Sequence, residues 1–241
     1  MNEYILFFLI SIIAFLYSSV GHAGASGYIA VMSLLGVSLS IIKPTSLLLN
    51  ILVATVTSVQ FIRAKYFSLK LFLPFALTSI PFAFLGGYIK IPTKEIKLVI
   101  GLLLFYSAFT LVFRFKEKKK IQEPNLFIQL LTGSIIGFFS GITGTGGGIF
   151  LTPIILLFGW ANIRTTAGVS ALFILFNSIA GLVGFYLSND KFEVLWFLSF
   201  PVLLFGFIGS YMGANHYKPK LIYILLGLVL MIASAKLIFN L

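Results

Sequence analysis

Long stretches without a single charge constrain this chain more than any other feature. Residues 4–42, 44–62, 71–89, 124–163, 165–189 and 194–217 contain no Asp, Glu, Lys or Arg, and two shorter stretches, 98–113 and 221–235, complete the set. A membrane span needs about 20 apolar residues, with 17–25 the usual range. The two longest stretches each hold two segments, which sets the expected total at roughly eight to ten. Only 10% of the residues are charged and 59% are hydrophobic, against about 25% charged in a soluble domain. Too little polar sequence remains to cover a soluble core. The expectation is an all-α, polytopic integral membrane protein, placed in the cytoplasmic membrane. The opening "MNEYILFF" lacks the basic region of a cleaved leader and reads as the first span.

The net charge of +11 raises nucleic acid as a partner. The basic residues lie in short loops between apolar stretches, however, where topology and anionic headgroups account for them. No basic patch has a fold of its own, so no nucleic-acid partner is expected. Lipid is the partner the pattern implies; a single chain and a homo-oligomer both remain open. The absence of cysteine excludes disulfides and thiolate metal sites, and no metal centre is expected. All six acidic residues, Glu3, Glu95, Glu117, Glu123, Asp190 and Glu193, fall in loops or at the ends of apolar stretches. A cation pump or a carboxylate proton relay would need one of them inside the membrane.

The chain repeats itself once. "GHAGASGYIAVMSLLG" (21–36) and "GITGTGGGIFLTPIILLFG" (141–159) are Gly-rich turns followed by apolar runs. Further on, "IPFAFLGGYI" (80–89) matches "FGFIGSYM" (205–212), and "IPTKEIKLVIGLLLFYSAF" (91–109) matches "KPKLIYILLGLVLMIASA" (218–235). Pro92 stands opposite Pro219 and Gly101 opposite Gly227. The polar stretch "RFKEKKKIQEPN" separates the halves, giving a first repeat over 1–113, a cytoplasmic linker over 114–125 and a second repeat over 126–241. Five segments per half place Arg63, Lys65, Lys70, the linker, Arg164, Lys218 and Lys220 inside, and Asn2, Glu3, Asp190 and Glu193 outside. Lys43 and the loop carrying Lys90, Lys94 and Lys97 fit this scheme poorly. Four spans per half, with the short segments re-entrant, would force the acidic loop 188–193 inside. The odd count fits better, and odd repeats are inverted in the membrane, as in many secondary transporters.

Glycine in a helix interior costs about 1 kcal/mol relative to alanine. Five glycines within 141–148 therefore predict a broken helix in the middle of an apolar region. Unwound backbone at membrane depth survives only when buried in protein or lining a cavity. Beyond the break a new helix begins, with free N–H groups and positive dipole character suited to an anion. Two inverted repeats would bring two such ends together near the midplane. The competing explanation is close packing of helices through small residues. Candidate side chains are Ser26, Thr143 and Thr145 beside the glycines, with Asn50, Ser170, Asn177 and Ser178 on the helices that follow. His22 is the ionisable group within the first charge-free stretch, apart from tyrosines, and is a candidate proton-linked residue. Pro81 and Pro201 are candidate kinks, and Lys43 and Arg164 read as interfacial cations.

These residues are similar to a known family. "GFFSGITGTGGGIFLTPIILLFG" followed by "RTTAGVSALFILFNSIAGLVG" resembles the second-half signature of the TauE/SafE sulfite exporter family. "YSSVGHAGASGYIAVMSLLG" followed by "IKPTSLLLNILVATVTSVQF" resembles the matching first-half segment. The resemblance covers nearly the whole chain. It implies export, or in some members uptake, of small sulfur-containing anions such as sulfite and sulfonates. Carried onto this chain it implies a site at Gly24, Ser26, Gly27, Gly144, Gly146, Gly147 and Gly148, with Asn50 and Ser170 on the next helices. The first half departs from a full glycine run at His22, Ala25 and Ser26.

An enzyme is the rival class. "GASG" (24–27) resembles the serine motif of rhomboid intramembrane proteases, but a serine nucleophile needs a base within hydrogen-bond reach. Only His22 and His216 exist, and the second-half glycine motif has no serine. "GTGGG" (144–148) lacks the strand and soluble βαβ unit of a dinucleotide site, so no cofactor is expected. No ATP-binding motif is present, which leaves ion or substrate gradients to drive movement. A non-transporting membrane subunit is the third reading.

Overall fold

The computed structural model describes residues 3–89, 105, 109, 121–188 and 193–239. Among these residues every regular element is helical: α1 (Glu3–Ser19), α2 (Ala25–Leu34), α3 (Leu39–Arg63) and α4 (Leu69–Tyr88), then α5 (Leu126–Thr143), α6 (Gly148–Phe158), α7 (Ile163–Leu187), a 3₁₀ turn (Trp196–Leu198), α8 (Ser199–Asn215) and α9 (Pro219–Phe239). The protein is all-α and polytopic, as the charge-free stretches predict. Among the described residues five helices are long and apolar enough to cross a membrane. Of the segment matched to α9, residues 91–109, only Phe105 and Phe109 are described, and most of the linker lies outside the described residues, as do Lys90, Lys94, Lys97 and Asp190.

Element lengths follow the repeat. The first four helices have 17, 10, 25 and 20 residues, and the next four have 18, 11, 25 and 17. Each second helix is about 15 Å long at 1.5 Å per residue, half of a hydrocarbon core of about 30 Å. Both short helices stop the same way. Val37 N–H donates to Met32 O and Gly36 N–H to Ser33 O, while Trp160 N–H donates to Ile155 O and Gly159 N–H to Leu156 O. In each case a left-handed glycine, Gly36 or Gly159, closes the turn.

Packing exchanges the two halves. The fourth helix of each half lies along the first helix of the other, and α3 packs on α7 at the centre. The α4–α5 pair is parallel and backbone-close. A Cβ on Gly133 would lie 2.6 Å from Phe75 O, on Gly137 2.2 Å from Ser79 O and on Gly141 2.1 Å from Ala83 O. The α1–α8 pair mirrors it, with Gly209 against Phe15 O at 2.2 Å and Gly213 against Ser19 O at 1.9 Å by the same construction. Small residues one turn apart thus let backbones touch where apolar burial gives no drive between lipid-solvated helices. We expect Gly137→Ala to lower thermal stability by about 1–3 kcal/mol, because a fixed carbonyl, not a mobile side chain, opposes the new methyl. An unchanged melting temperature would contradict this packing.

The pair at the centre runs antiparallel. Lys43 Nζ lies 5.3 Å over the Phe185 ring near one end, Asn50 meets Ser178 mid-helix, and Phe61 lies beside Gly168 at the other end. At that second end Arg164 donates to the Tyr66 hydroxyl and to Tyr217 O and stacks on the Tyr66 ring. Lys70 pairs with Glu123 at 2.6 Å, and Gln122 N–H donates to Gly159 O. The basic residues around the α3–α4, α6–α7 and α8–α9 connections and the end of the linker therefore share one end of the bundle. Lys70 also holds the Glu123 carboxyl below the usual carboxylate range. Both groups are more than four-fifths exposed, so water and salt leave the pair little stabilising value.

Candidate functional site

Both helix breaks are made by left-handed glycines, but not by all the glycines of the motif. The α1 helix closes at Gly21 (φ 81°), with His22 N–H donating to Tyr17 O, and α2 starts beyond Gly24 (φ 101°). The α5 helix closes at Gly144 (φ 73°), and α6 starts beyond Gly147 (φ 82°). Gly141 stays helical, within α5, and its missing side chain admits Ala83 O, which would lie 2.1 Å from a Cβ there. The broken stretch is therefore 144–147, shorter than the glycine run predicts. Neither N-cap carries a capping side chain, so first-turn N–H groups depend on partners from elsewhere.

Asn50 is that partner for the first half. Its Oδ1 accepts from Ala25 N–H at 3.0 Å, at the start of α2. Its Nδ2 donates to Thr145 O at 3.2 Å, in the second break, and to Ser178 Oγ at 3.3 Å on α7. One fully buried amide, halfway along α3, thus ties both breaks and both central helices together. Gly146 makes this possible: a Cβ there would lie 2.7 Å from Asn50 Nδ2 and 2.8 Å from Ser178 Oγ. Its φ of 76° is also a conformation that side chains disfavour.

A second cluster lies beside the first. His22 Nε2 bonds Thr152 Oγ1 at 2.8 Å, and Thr152 Oγ1 bonds Ser170 Oγ at 2.7 Å. His22 belongs to the first break, Thr152 to α6 and Ser170 to α7, so this chain also joins the halves. Ser26 bonds the Tyr17 hydroxyl at 2.9 Å. The Tyr28 hydroxyl has no partner, and a Cβ on Gly24 would come within 2.8 Å of it. His22 Nδ1 and Asn177 Oδ1 are likewise buried and unpartnered. No residue of these clusters is charged, and none of His22, Ser26, Asn50, Thr145 and Ser170 exceeds 5% exposure. The arrangement is closed, polar and neutral. Its positive character comes from the ends of α2 and α6.

The remaining sequence candidates are placed less centrally. Thr143 donates to Phe139 O and meets the Thr145 hydroxyl. Asn177 donates to Phe173 O within its own helix. Gly27 faces Ile13, Gly144 faces the Lys43 stem, and Gly147 and Gly148 face Phe173 and Ile174. These four glycines admit neighbouring side chains as well as freeing backbone. Sequence reasoning missed Tyr17, Tyr28 and Thr152. A signal existed: Tyr28 stands four residues after Gly24 and Thr152 four after Gly148, one turn into each short helix and so on the face of its first residue.

Known proteins similar to this chain are described as membrane transporters. A probable membrane transporter protein of Sinorhizobium fredii is 37% identical over 236 residues, covering 95% of both chains. A probable membrane transporter protein of Methanocaldococcus jannaschii is 25% identical over 166 residues, covering 66% of this chain and 62% of the relative. No solved structure matches. The family described as "Sulfite exporter TauE/SafE", a family of membrane transporters and not of enzymes, matches residues 6–237, and the chain belongs to it.

Proposed function

We propose that this multi-pass membrane transporter moves a small sulfur-containing oxyanion, sulfite or a sulfonate, out of the cell across the cytoplasmic membrane. The observation that carries the reading is the meeting of the two helix breaks at one buried amide, Asn50, which bonds Ala25 at the start of α2 and Thr145 in the turn before α6. A small oxyanion accepts hydrogen bonds over its whole surface, and helix N-termini supply donors with no cation to trap it. Gly24, Ser26 and Gly27 from the first break and Thr143, Gly144, Thr145, Gly146, Gly147 and Gly148 from the second are the proposed lining. Asn50, Ser170 and Asn177 complete it.

The antiparallel course of α3 and α7 supports reading 1–113 and 126–241 as inverted repeats joined by the linker 114–125. Since the clusters are closed, exchange of the anion requires one repeat to move against the other, in an alternating-access cycle. Pro81 lies within α4 and lacks the N–H that would brace the helix there, whereas Pro201 lies in the first turn of α8, where an N–H has no partner within the helix. An inside-negative potential drives an anion outward at about 2.3 kcal/mol per charge per 100 mV. An anion that still carries net negative charge on leaving, as doubly ionised sulfite does even with one proton aboard, then needs no other energy source for export, which favours that direction.

The sidedness is open to direct labelling, because the natural chain has no cysteine. Arg63→Cys should react with an impermeant thiol reagent only from the cytoplasmic side, and Glu193→Cys only from outside. Reaction of both from one side would overturn the topology. The function itself is tested by flux in proteoliposomes under an imposed potential, comparing sulfite, sulfate, thiosulfate and methanesulfonate with chloride. Saturable movement of a sulfur oxyanion in preference to chloride is expected. No anion movement by folded protein would favour a non-transporting subunit.

A further inference from the structure

We propose that His22 is the site of a co-transported proton, taken up with the anion and released with it; the inference rests on the anion-transport reading above. The imidazole sits in the first break, 1% exposed, and has its hydrogen-bond partners in the Thr152 hydroxyl, on Nε2, and the Gly148 backbone. Nδ1 is left with none. In a neutral imidazole one nitrogen donates and the other accepts, whereas an imidazolium donates from both. The Thr152 hydroxyl can serve either form. Nδ1 cannot: a proton there finds no acceptor while the site is empty. An oxyanion brought to the break supplies both the missing acceptor and the missing counter-charge.

Among the described residues no acidic side chain takes that role instead. The titratable group packed beside the ring is Tyr17 on α1, with ring centroids 6.5 Å apart. On α2, Tyr28 directs its hydroxyl toward Gly24. The α6 and α7 helices offer the hydroxyls of Thr152 and Ser170, and α3 offers the Asn50 amide. Tyr17 reaches α9 at the backbone of Val229. Arg164 is turned to Tyr66 and Tyr217, and Lys43 to Phe185. Among the described residues the acidic side chains are Glu3, Glu123 and Glu193, all exposed and none near the break. A buried cation without a counter-ion is unfavourable, so proton and anion are bound together or not at all. His22, Thr152 and Ser170 also bridge the two halves, so a proton arriving with the anion changes the bonding between the parts that must move. No bond of the anion changes; the proton comes from water on one side and returns to water on the other.

The test is anion flux into proteoliposomes with the potential clamped at zero, driven only by a pH gradient across the imidazole range. The probes are sulfite and methanesulfonate, which stays ionised throughout. The wild-type protein should convert a gradient of one pH unit into an anion gradient of about tenfold, as one coupled proton requires. His22→Gln, which keeps a donor for Thr152, should lose the response to the pH gradient. The titration of sulfite itself is common to both proteins and cancels in the comparison. An equal response in both proteins overturns the inference and leaves anion transport standing. Failure of the wild type to move either anion removes the transport reading and this inference with it. Should His22→Gln be inactive altogether, calorimetry of anion binding to the wild type in buffers of different ionisation enthalpy decides. Uptake of about one proton per anion supports the inference, and none overturns it.

Discussion

Replacing Asn50 by Asp is expected to abolish anion flux, by at least a hundredfold, in a protein that still inserts and folds. The substitution preserves shape and the acceptor for Ala25 N–H. It exchanges the donor facing Thr145 O and Ser178 Oγ for an oxygen that repels the carbonyl and places negative charge where the substrate must sit. A hundredfold loss corresponds to about 2.7 kcal/mol of lost stabilisation in the transport step, well within the reach of one misplaced charge in a site of low dielectric. Asn50→Ala separates site from scaffold. It leaves Ala25 N–H and Thr145 C=O buried without partners, at about 1–3 kcal/mol each. Melting temperature and flux should therefore fall together in that variant, whereas Asn50→Asp loses flux out of proportion. Normal flux in either would show that the amide is not at the site.

Gly146→Ala should be nearly as damaging, for two separable reasons. The left-handed backbone costs a side chain about 1–2 kcal/mol. The new methyl would also lie 2.7 Å from both Asn50 Nδ2 and Ile174 Cγ2, displacing the amide that joins the two breaks. Gly36→Ala is the matched control. Its φ of 74° is almost the same, but nothing lies within 4 Å of its Cβ position. It should show the backbone cost as a small fall in melting temperature and keep its flux. If Gly36→Ala lost flux as fully as Gly146→Ala, backbone strain and not crowding at Asn50 would be the cause.

What was legible in the sequence was whatever a local pattern records. Charge-free length located the helices, and the duplicated glycines located the breaks after α1 and α5. The reach of the second break was misjudged, since Gly141 is helical. Its glycine identity answers to Ala83 O on another helix, a fact that no window around residue 141 contains. Gly137 and Gly133, one and two turns earlier, belong to the same contact and carry no signal of a break. Asn50 stood out as an amide in an apolar run, but its role depends on partners 25, 95 and 128 residues away. Thr152 and Tyr28 passed unnoticed because a hydroxyl one turn into an apolar helix is ordinary until its neighbours are known. Asn177 stands out for its polarity, but that its Nδ2 bonds Phe173 O on its own helix while its Oδ1 is buried without a partner is not written in any local pattern.

The most direct test of the central claim, that an oxyanion binds where the two breaks meet, is thermal unfolding of the purified protein with and without sulfite. A ligand that binds the folded state at a hundred times its dissociation constant stabilises by about 2.7 kcal/mol. The wild type and Gly36→Ala should shift upward with sulfite in a saturable way that chloride does not reproduce, while Asn50→Asp and Gly146→Ala should not shift. An equal sulfite-dependent shift in all four proteins would place the anion elsewhere and contradict the account.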